Sequence, residues 1–420
     1  MGVADYDILS DAFYDDPYPT LAAMRRDDPC WYDPRLGAYV LTRFNDIERT
    51  LQDPRFSAER VRAFTRGAPE HLQAKIDVYV GELERWLLFC DPPIHTRLRT
   101  RLTNAFGPRF MPLIRESAAE AVTQAIADMA AHPAPDIIAH FAYPVPTQVL
   151  IRLLGIDAAD IERFKQWTTD IFALIGAGVA NEAAVEVGYR GVTELREYVL
   201  ELIAHKRAAP RDDVLSALCS RELGPGEEPI SDDDVRGLFM AIIVAGHETS
   251  TNLIGNAIHA VITDGDARDW ILRNGGVTEQ SIDEFVRFDG PVFSMIRRAK
   301  QNLSIAGQLI REGDFVFSML NAGNRDPRRF PNPERLDLDR PWPEHVGLGV
   351  GIHRCVGAGM ARVVVREAVS QFVEAFPDAA IAGPLDWQRN MSIRGLNAFP
   401  VSLGARSRVE AAPSNLQLNE

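Results

Sequence analysis

A single cysteine stands near the end of a glycine-rich stretch, in surroundings that suit a metal-binding thiolate. The stretch covers residues 347–359 and reads GLGVGIHRCVGAG, which puts Cys355 at the start of a predicted helix. Glycine lets the backbone turn sharply and approach a flat group closely. Amides at a helix N-terminus stabilise a sulfur anion. A free cysteine is more often a small buried side chain, so the assignment depends on further motifs.

The cysteine loop resembles the haem-binding loop of the cytochrome P450 family, whose pattern is F-G-x-G-x-H-x-C-x-G. The corresponding residues read LGVGIHRCVG, with Leu348 where the family usually has Phe. In that family the cysteine thiolate is the proximal ligand of haem iron. The resemblance therefore implies haem b (iron protoporphyrin IX) as the cofactor and Cys355 as the metal ligand. It also implies that Gly349, His353 and Gly357 contact the cofactor.

An acidic residue and a hydroxyl follow a glycine inside a long apolar helix. The residues AGHETS cover 245–250 of a helix predicted over 231–263. The glycine costs roughly 1 kcal/mol relative to alanine, and Thr249 can bond back to the carbonyl of Ala245, so we expect a local opening of the helix. The stretch resembles the P450 segment A-G-x-[DE]-T-[ST]. The resemblance implies that Ala245 lies at the cofactor, that Thr249 hydrogen-bonds dioxygen, and that Glu248 relays protons.

Glu284 and Arg287 stand three residues apart, which places both on one face of a helix. Such pairs are usually weak surface ion pairs. The segment EFVR nevertheless resembles the E-x-x-R of the P450 family, in which the pair binds an arginine of a later P-x-R-F-like segment. Here that segment is PERL at 333–336. The resemblance therefore implies a structural triad of Glu284, Arg287 and Arg335 that fixes the cysteine loop.

Several basic side chains suit the two carboxylates that a buried haem carries. Arginine binds carboxylates bidentately, and a buried charge needs such a partner. The run DPPIHTRLR at 91–99 is close to the form found in bacterial P450s and puts His95 and Arg99 on one helix face. The resemblance implies that the propionate partners are His95, Arg99, Arg297 and His353. Arg298 is an alternative to Arg297 in this role.

Helical signals dominate the elements that must position these residues. Apolar residues recur with helical spacing, and many of these stretches open with Pro, Ser or Asp. Strand-like runs near 35–60, 291–320 and 391–403 predict small sheets. The sequence therefore predicts a mainly α fold with small β-sheets, and the resemblance implies the P450 fold, with haem between the long helix and the cysteine loop. The helical stretches cover 95–106, 112–131, 143–154, 158–175, 184–207 and 231–263.

The composition is that of a globular protein, with 46% apolar and 25% charged residues. No linker or repeat divides the chain, so we predict one domain over residues 1–420, with a flexible tail over about 404–420. The four cysteines are widely spaced, which disfavours a zinc cluster or a disulfide framework. Because no leader signature or long apolar segment is evident, we expect a cytoplasmic protein without a membrane anchor.

The net charge of −14 disfavours nucleic acid as a partner. Basic residues nevertheless concentrate in two segments that the resemblance brings together on the cysteine side of the haem. They form either a solvated face or a docking surface for an acidic electron donor. The residues of this basic set are Arg97, Arg101, Arg109, Arg354, Arg362 and Arg366.

The resemblance also implies a distal substrate pocket with largely apolar walls. The segment from about Val61 to Leu88 is expected to form its lid. Such a pocket favours a hydrophobic small molecule, such as a terpenoid, a fatty acyl compound or a polyketide-like compound. The residues assigned to it are Ala241, Val244, Ala245, Thr249, Phe293, Met295, Ile393 and Phe172.

Together the motifs predict a haem-thiolate monooxygenase that hydroxylates a small hydrophobic substrate with one oxygen atom from O2. The family resemblance implies electrons from NAD(P)H through a ferredoxin reductase and a ferredoxin (2Fe-2S or similar). Alternatives within the fold are oxidative coupling, O-demethylation and epoxidation. A peroxide-driven variant would lack the acid–alcohol pair of Glu248 and Thr249, and a haem sensor would need a signalling domain.

Overall fold

The structure is a computed structural model and describes residues 6–176, 180–342 and 344–404. Within these ranges helices form most of the chain, beside a five-stranded sheet and three two-stranded sheets. The predicted mainly α fold class is therefore confirmed. Of the predicted flexible tail only Gly404 is described, and residues 405–420 lie outside the described residues.

Among the helices up to residue 154, one has residues at both ends that are typical of helix termini. Helix α8, Pro144–Leu154, starts with a proline, which suits the first turn because its missing N–H would have no helical partner. It ends at Gly155, which has a positive φ of 60°. A π-helical turn, Ile138–Ala142, precedes it. The others are α1 Asp11–Asp15, α2 Tyr18–Asp27, α3 Phe44–Gln52, α4 Val61–Phe64, α5 Gln73–Leu83, α6 Ile94–Ala105 and α7 Met111–Ala131.

The longest of the remaining helices is α12, Asp232–Thr263, which begins at a capping box. The Ser231 hydroxyl accepts from the Asp234 N–H at 3.1 Å, and the Asp234 carboxylate accepts from the Ser231 N–H at 3.0 Å. The other helices are α9 Ile161–Ile175, α10 Glu182–Ala208, α11 Val214–Cys219, α13 Gly265–Asn274, α14 Glu279–Asp289, α15 Leu320–Asn324 and α16 Ala358–Ala375.

Helix α12 runs through the core and packs against α8, α10, α14 and α16. Its side chains are buried on every face, including Leu238, Phe239, Ile254 and Ile258. A helix that is apolar all round belongs in the interior, so the AGHETS residues are carried into the centre of the molecule. In the described part of the chain, no helix combines the length and the apolar character needed to cross a membrane.

The strands are short, and most of them lie at the two ends of the chain. The first three are β1 Cys30–Asp33, β2 Ala38–Leu41 and β3 Phe56–Ser57, so the predicted strand near residue 38 is confirmed. The others are β4 Ser294–Ala299, β5 Leu303–Ile305, β6 Gln308–Ile310, β7 Phe315–Met319, β8 Ala380–Ile381, β9 Asp386–Trp387, β10 Leu396–Ala398 and β11 Val401–Ser402.

The five-stranded sheet has the order β1-β2-β7-β4-β3. Strand β2 pairs in parallel with β7, with Val40 opposite Phe317, and β4 pairs antiparallel to β7, with Arg297 opposite Val316. The pairs β10-β9, β11-β8 and β5-β6 form the small sheets. The large sheet therefore joins the N-terminal region to the segment after α14 and fixes the direction of each β4 side chain.

The C-terminal segment holds the N-terminal helices in place. Arg394 Nη1 donates to the Tyr14 carbonyl at 2.9 Å, and its Nε donates to Asp289 Oδ1 at 2.8 Å. The Ile137 N–H donates to the Phe399 carbonyl at 2.9 Å. These contacts bring residues near 390 back to the start of the chain and to α14, beside the site described next.

Candidate active site

Cys355 lies in a loop that leads into α16. Its N–H donates to the Leu348 carbonyl at 2.9 Å. Gly349, with a φ of 70°, makes the turn between them, in a conformation that disfavours other residues. The thiol is accessible from a cavity and otherwise enclosed by protein. Burial raises the pKa of Cys355, whereas the Gly357 N–H and the Arg99 charge act to lower it. A bound metal cation would deprotonate such a thiol.

Two adjoining cavities, of about 230 Å³ and about 250 Å³, lie between the cysteine loop and α12. Cys355 and His353 line both from one side, and Ala245 and Thr249 of α12 line both from the other. Two facing walls of this kind leave space for a flat group. The geometry therefore suits a planar cofactor with Cys355 at its centre.

Imidazole and guanidinium groups gather near one edge of these cavities. The rings of His95 and His353 are 4.2 Å apart, and neither ring nitrogen of His95 has a partner within the described residues. Burial, followed by the charge of Arg297, lowers the pKa of His353 to about 2. Arg297 is buried and donates to the Ile296 carbonyl at 3.0 Å. The buried guanidinium group of Arg297 requires an anion, as the carboxylates of haem would provide.

Arg99 and Arg298 point in different directions. Arg99 lines the smaller cavity, and its Nη1 donates to the Arg354 carbonyl at 2.6 Å. Arg298 follows Arg297 in β4 and therefore lies on the other face of the strand. There its Nη2 contacts Glu59 Oε2 at 3.2 Å. The geometry favours Arg297 over Arg298 as a cofactor contact.

Thr249 faces both cavities from α12, and its hydroxyl donates to the Ala245 carbonyl at 3.0 Å. The predicted opening of the helix is wrong, because α12 continues as α-helix from Asp232 to Thr263. Gly246 has another use. A Cβ at this position would lie 3.1 Å from Leu150, so the glycine allows α8 to pack closely against α12.

Glu248 is bound by a residue that the sequence analysis did not single out. Gln388, which follows β9, donates from Nε2 to Glu248 Oε1 at 3.2 Å and lies 3.4 Å from Asn252 Oδ1. Asn252 stands four residues after Glu248, and this spacing places both on one helix face. The spacing is a sequence signal from which Asn252 could have been identified. No local pattern marks Gln388, because its approach to α12 depends on the tertiary fold.

Glu284 binds two arginines, and the second is not the one predicted. Arg287 donates to both Glu284 oxygens, at 2.7 Å and 2.8 Å. Arg340 Nε donates to Glu284 Oε2 at 3.0 Å. The assignment of Arg335 was wrong, because its side chain is exposed and only its carbonyl accepts from Arg287, at 3.0 Å. The chain turns after this residue and returns Arg340 to the buried carboxylate.

Hydrogen bonds connect this cluster to the cysteine loop. Arg287 Nη1 donates to the Asn324 carbonyl at 2.9 Å, and Asn324 Oδ1 accepts from the Val346 N–H at 2.9 Å. Asp283, beside Glu284 in the sequence, accepts from Arg362 of α16 at 2.9 Å. The cluster therefore fixes both ends of the loop that presents the cysteine, as the predicted structural role requires.

The predicted pocket residues divide between the cavities, with one exception. Ala241 lines the smaller cavity. Phe293 lines neither, because its ring packs against Phe13 with centroids 5.9 Å apart and is buried there. Its assignment to the pocket was therefore wrong. The predicted residues that line the larger cavity are Phe172, Val244, Ala245, Thr249, Met295 and Ile393.

The predicted lid segment contributes further walls of the larger cavity. Four of its side chains are apolar, and three of these are aromatic. Arg60, just before α4, also lines this cavity and is buried, although no motif drew attention to it. The apolar residues are Phe64, Trp86, Leu88 and Phe89.

Comparison with known proteins establishes the family. The family profile described as Cytochrome P450 matches residues 272–378. Vitamin D(3) 25-hydroxylase of Pseudonocardia autotrophica is 31% identical over 412 residues, which cover 97% of this chain and 98% of that protein. The chain belongs to the cytochrome P450 family. Cytochrome P450 monooxygenase PikC of Streptomyces venezuelae is 31% identical, with 95% and 94% of the two chains covered.

Solved P450 structures share this fold. The cytochrome P450 PksS of the bacillaene polyketide synthase from Bacillus subtilis 168 superimposes with a TM-score of 0.83 at 28% identity. The match covers 95% of this chain and 100% of that chain. The predicted P450 fold is confirmed.

As a P450, the protein is a monooxygenase with haem as its cofactor. The site fits that group. Cys355 faces the space between two walls, and the unpartnered nitrogens of His95 and the buried charge of Arg297 suit its carboxylates. P450 enzymes receive their electrons from redox partners, so a surface for such a partner is also needed.

The basic set near the cysteine loop of this P450 is smaller than predicted. Arg101 is buried and binds the Glu227 carboxylate and carbonyls of α11 and of the segment after it, so its assignment to a docking surface was wrong. Arg97 pairs with Asp234 at 3.2 Å, and Arg362 is held by its carboxylate partner on α14. The remaining members are Arg109, Arg354 and Arg366.

Proposed function

We propose that this P450 hydroxylates a small, largely hydrophobic organic molecule with one oxygen atom from O2. The observation that carries the proposal is that Thr249 and Cys355 face each other across cavities whose other walls are mostly apolar. A pocket with largely apolar walls holds a hydrophobic substrate. The hydroxyl and the thiol supply the two groups that the reaction needs on opposite sides of the cofactor.

The cofactor contacts are assigned from the geometry of the two walls. Cys355 is the proposed ligand of the iron, and a Cβ at Gly357 would meet nothing within 4 Å, which leaves that side open to a flat group. Haem bound here supplies the activation of dioxygen and the transfer of one oxygen atom. The other proposed contacts are Ala245 and Gly349 at the ring, and His95, Arg99, Arg297 and His353 at the carboxylates.

Proton delivery is proposed for Glu248 and Thr249. Glu248 is half-buried, and Gln388 holds its carboxylate. A carboxylate in this position exchanges protons with solvent and passes them on through water. The Thr249 hydroxyl donates to the Ala245 carbonyl, so its oxygen lone pairs remain free to accept a hydrogen bond from the cavity side. The Thr249 hydroxyl therefore orients the water that donates the proton and limits where in the cavity protons are delivered.

For the substrate class we propose a terpenoid, fatty acyl or polyketide-like compound. Similar proteins include a vitamin D(3) hydroxylase and a P450 of a polyketide synthase. Aromatic side chains of the lid segment, with Phe172, give the larger cavity broad hydrocarbon faces. Rigid aromatic walls select apolar ligands by shape.

We propose NAD(P)H, a ferredoxin reductase and a 2Fe-2S ferredoxin as the source of electrons. Arg109 and Arg366 belong to the part of the basic set that forms no ion pair within the described residues. Their charges attract an acidic ferredoxin over the range of electrostatic screening, about 10 Å at 0.1 M salt. Arg109→Glu and Arg366→Glu should slow ferredoxin-dependent reduction but not reduction by dithionite. Arg273→Glu, an exposed change on α13, is the control. Equal rates in all variants across a salt series would reject this surface.

We further propose that the chain acts as one domain in the cytoplasm. The pairing of β2 with β7 and the contacts of Arg394 with Tyr14 support one domain. Cys30, Cys90 and Cys219 are buried free thiols, which suits a reducing compartment.

The proposed reaction is tested by turnover of spectroscopically selected ligands. A library of apolar compounds is screened for shifts of the haem absorbance, and ligands that shift it are incubated with a ferredoxin, its reductase and isotopically labelled O2. We expect a product with one labelled oxygen atom. Cys355→Ser is the control and should lose the red-shifted band of the reduced carbon monoxide complex. Coupled or demethylated products without a new hydroxyl would contradict hydroxylation.

A further inference from the structure

Arg60 is a buried guanidinium at the wall of the larger cavity, with 3% of its surface exposed. Its Nη1 donates to the carbonyls of Ala58, at 3.0 Å, and Leu88, at 2.7 Å. Its Cζ lies 4.6 Å from the centroid of the Phe89 ring. These contacts hold the guanidinium plane in one position. They occupy Nη1 only, and leave the edge formed by Nε and Nη2 for another group.

The acids near Arg60 are engaged by other residues. Asp91 accepts from the Ala58 N–H at 2.8 Å and faces Lys300 at 3.8 Å. Glu59 pairs with Arg298. Within the described residues, neither Arg60 nor Arg297 forms an ion pair with a carboxylate of the protein. Each therefore carries a buried charge that the protein alone does not neutralise.

The charge of Arg297 also acts on Arg60. Burial lowers the pKa of Arg60, the charge of Arg297 lowers it further, and the charge of Asp91 acts in the opposite direction. A carboxylate bound at Arg60 would add a negative charge beside its guanidinium group and favour the charged form. A buried guanidinium group without an ion pair favours the binding of an anion.

We propose that Arg60 is a binding site for one buried carboxylate at the wall of the larger cavity. The free Nε and Nη2 edge of Arg60 matches the two oxygens of a carboxylate, which arginine binds with two parallel hydrogen bonds. The inference rests on the proposed haem enzyme, because two sources supply such a carboxylate there: a propionate of the cofactor, or an acidic group of the substrate. Sequence motifs had assigned no role to Arg60.

The first arm of the test asks whether the carboxylate belongs to haem. Arg60→Gln keeps the size of the side chain and removes its charge. Arg62→Gln is the matched control, because Arg62 lies two residues later and is exposed, 3.7 Å from Glu84. The readouts are the rate of haem transfer to apomyoglobin and the midpoint potential of the iron. If haem is the source, Arg60→Gln loses haem about 10- to 100-fold faster, the range expected for a hydrogen bond to a charged group. Its potential also becomes more negative.

The second arm asks whether the carboxylate belongs to the substrate. Saturated fatty acids and fatty alcohols of equal chain length are titrated against each variant, and binding is followed by the haem absorbance shift. If the substrate is the source, Arg60→Gln weakens the acids about 10- to 100-fold and leaves the alcohols unchanged. A response in either arm supports the site and identifies the source of the bound carboxylate.

The inference is overturned if Arg60→Gln matches Arg62→Gln in haem transfer, potential and both titrations while the reduced carbon monoxide complex keeps its red-shifted band. Absence of that band in the parent protein would instead refute the proposed haem-thiolate function. Arg60→Lys, which keeps the charge but has no planar fork, covers the case in which Arg60→Gln is unstable. We expect Arg60→Lys to show an intermediate effect in whichever arm responds to Arg60→Gln. Parent-like behaviour of Arg60→Lys in both arms again rejects the site.

Discussion

Gln388 holds Glu248 through a hydrogen bond of 3.2 Å from its side-chain amide to Oε1. The same amide lies 3.4 Å from Asn252 Oδ1, so one residue from the C-terminal segment spans two residues on one face of α12. A hydrogen bond to a carboxylate restricts the rotamers that its side chain adopts. Gln388 therefore positions the proposed proton relay.

Replacement of Gln388 should impair proton delivery without loss of the fold. In Gln388→Leu the Glu248 carboxylate loses its donor, and we expect product formation to slow about tenfold, as for one hydrogen bond to a charged group. The solvent isotope effect on turnover should rise, while substrate affinity stays unchanged. Gln371→Leu removes a similar glutamine–glutamate contact on α16 and is the control. An unchanged isotope effect in Gln388→Leu would contradict the positioning role.

Thr249→Ala should bind haem and substrate normally but convert electrons to product several-fold less efficiently. Without the hydroxyl, proton delivery in the cavity is no longer directed, and reduced oxygen is released as hydrogen peroxide instead of being transferred to the substrate. The measurement is product and peroxide formed per NAD(P)H consumed. Thr263→Ala provides a matched control, because Thr263 makes the same kind of bond to the His259 carbonyl, at 2.8 Å, at the far end of α12. Equal coupling in the two variants would exclude the proposed role of Thr249.

The corrected triad gives a direct comparison of two arginines. Arg340→Ala removes a partner from the fully buried Glu284, and we expect the free energy of unfolding to fall by about 3–5 kcal/mol. Arg335→Ala removes an exposed side chain and should change it by about 0.5 kcal/mol or less. Denaturant unfolding of both variants is the measurement. The reverse order of effects would restore the assignment made from the sequence.

Stability should fall as the pH drops below about 6.5, the ordinary pKa of histidine. Burial lowers the pKa of His259, whose ring packs against Trp387 at 5.4 Å between centroids. The unfolded chain then binds a proton that the folded protein does not, so acid favours unfolding. His259→Phe keeps the ring contact and should flatten the pH dependence of unfolding in urea. His71→Phe, at an exposed site, should leave it unchanged, and equal slopes in the two variants would contradict the argument.

The sequence predicted well whatever depends on local periodicity or on short motifs. The stretch predicted over 231–263 is α12, Asp232–Thr263, because apolar spacing and a capping box mark it locally. Placement of Cys355 in the loop just before α16 follows from the glycine-rich sequence. These features need no knowledge of distant contacts, which is why they could be derived from the chain alone.

Features that depend on tertiary contacts could not be predicted. Arg340 replaces Arg335 at Glu284 because of a turn whose direction the motif does not encode. Phe293 was assigned by its offset from a motif, but its ring packs against the N-terminal helix. Gln388 reaches Glu248 across 140 residues of sequence. In each case a side chain's direction is set by an element far away in the chain.

The parallel pairing of β2 with β7 has a consequence for biosynthesis. Residues 38–41 leave the ribosome long before residues 315–319, their partners in the sheet, and translation adds only about 5–20 residues each second. Until then the β1–β2 hairpin has an open edge, which is a hazard for unwanted pairing with other chains. Cys355 emerges later still. Capture of haem is therefore among the last events in the production of this enzyme, after nearly the whole chain has been made.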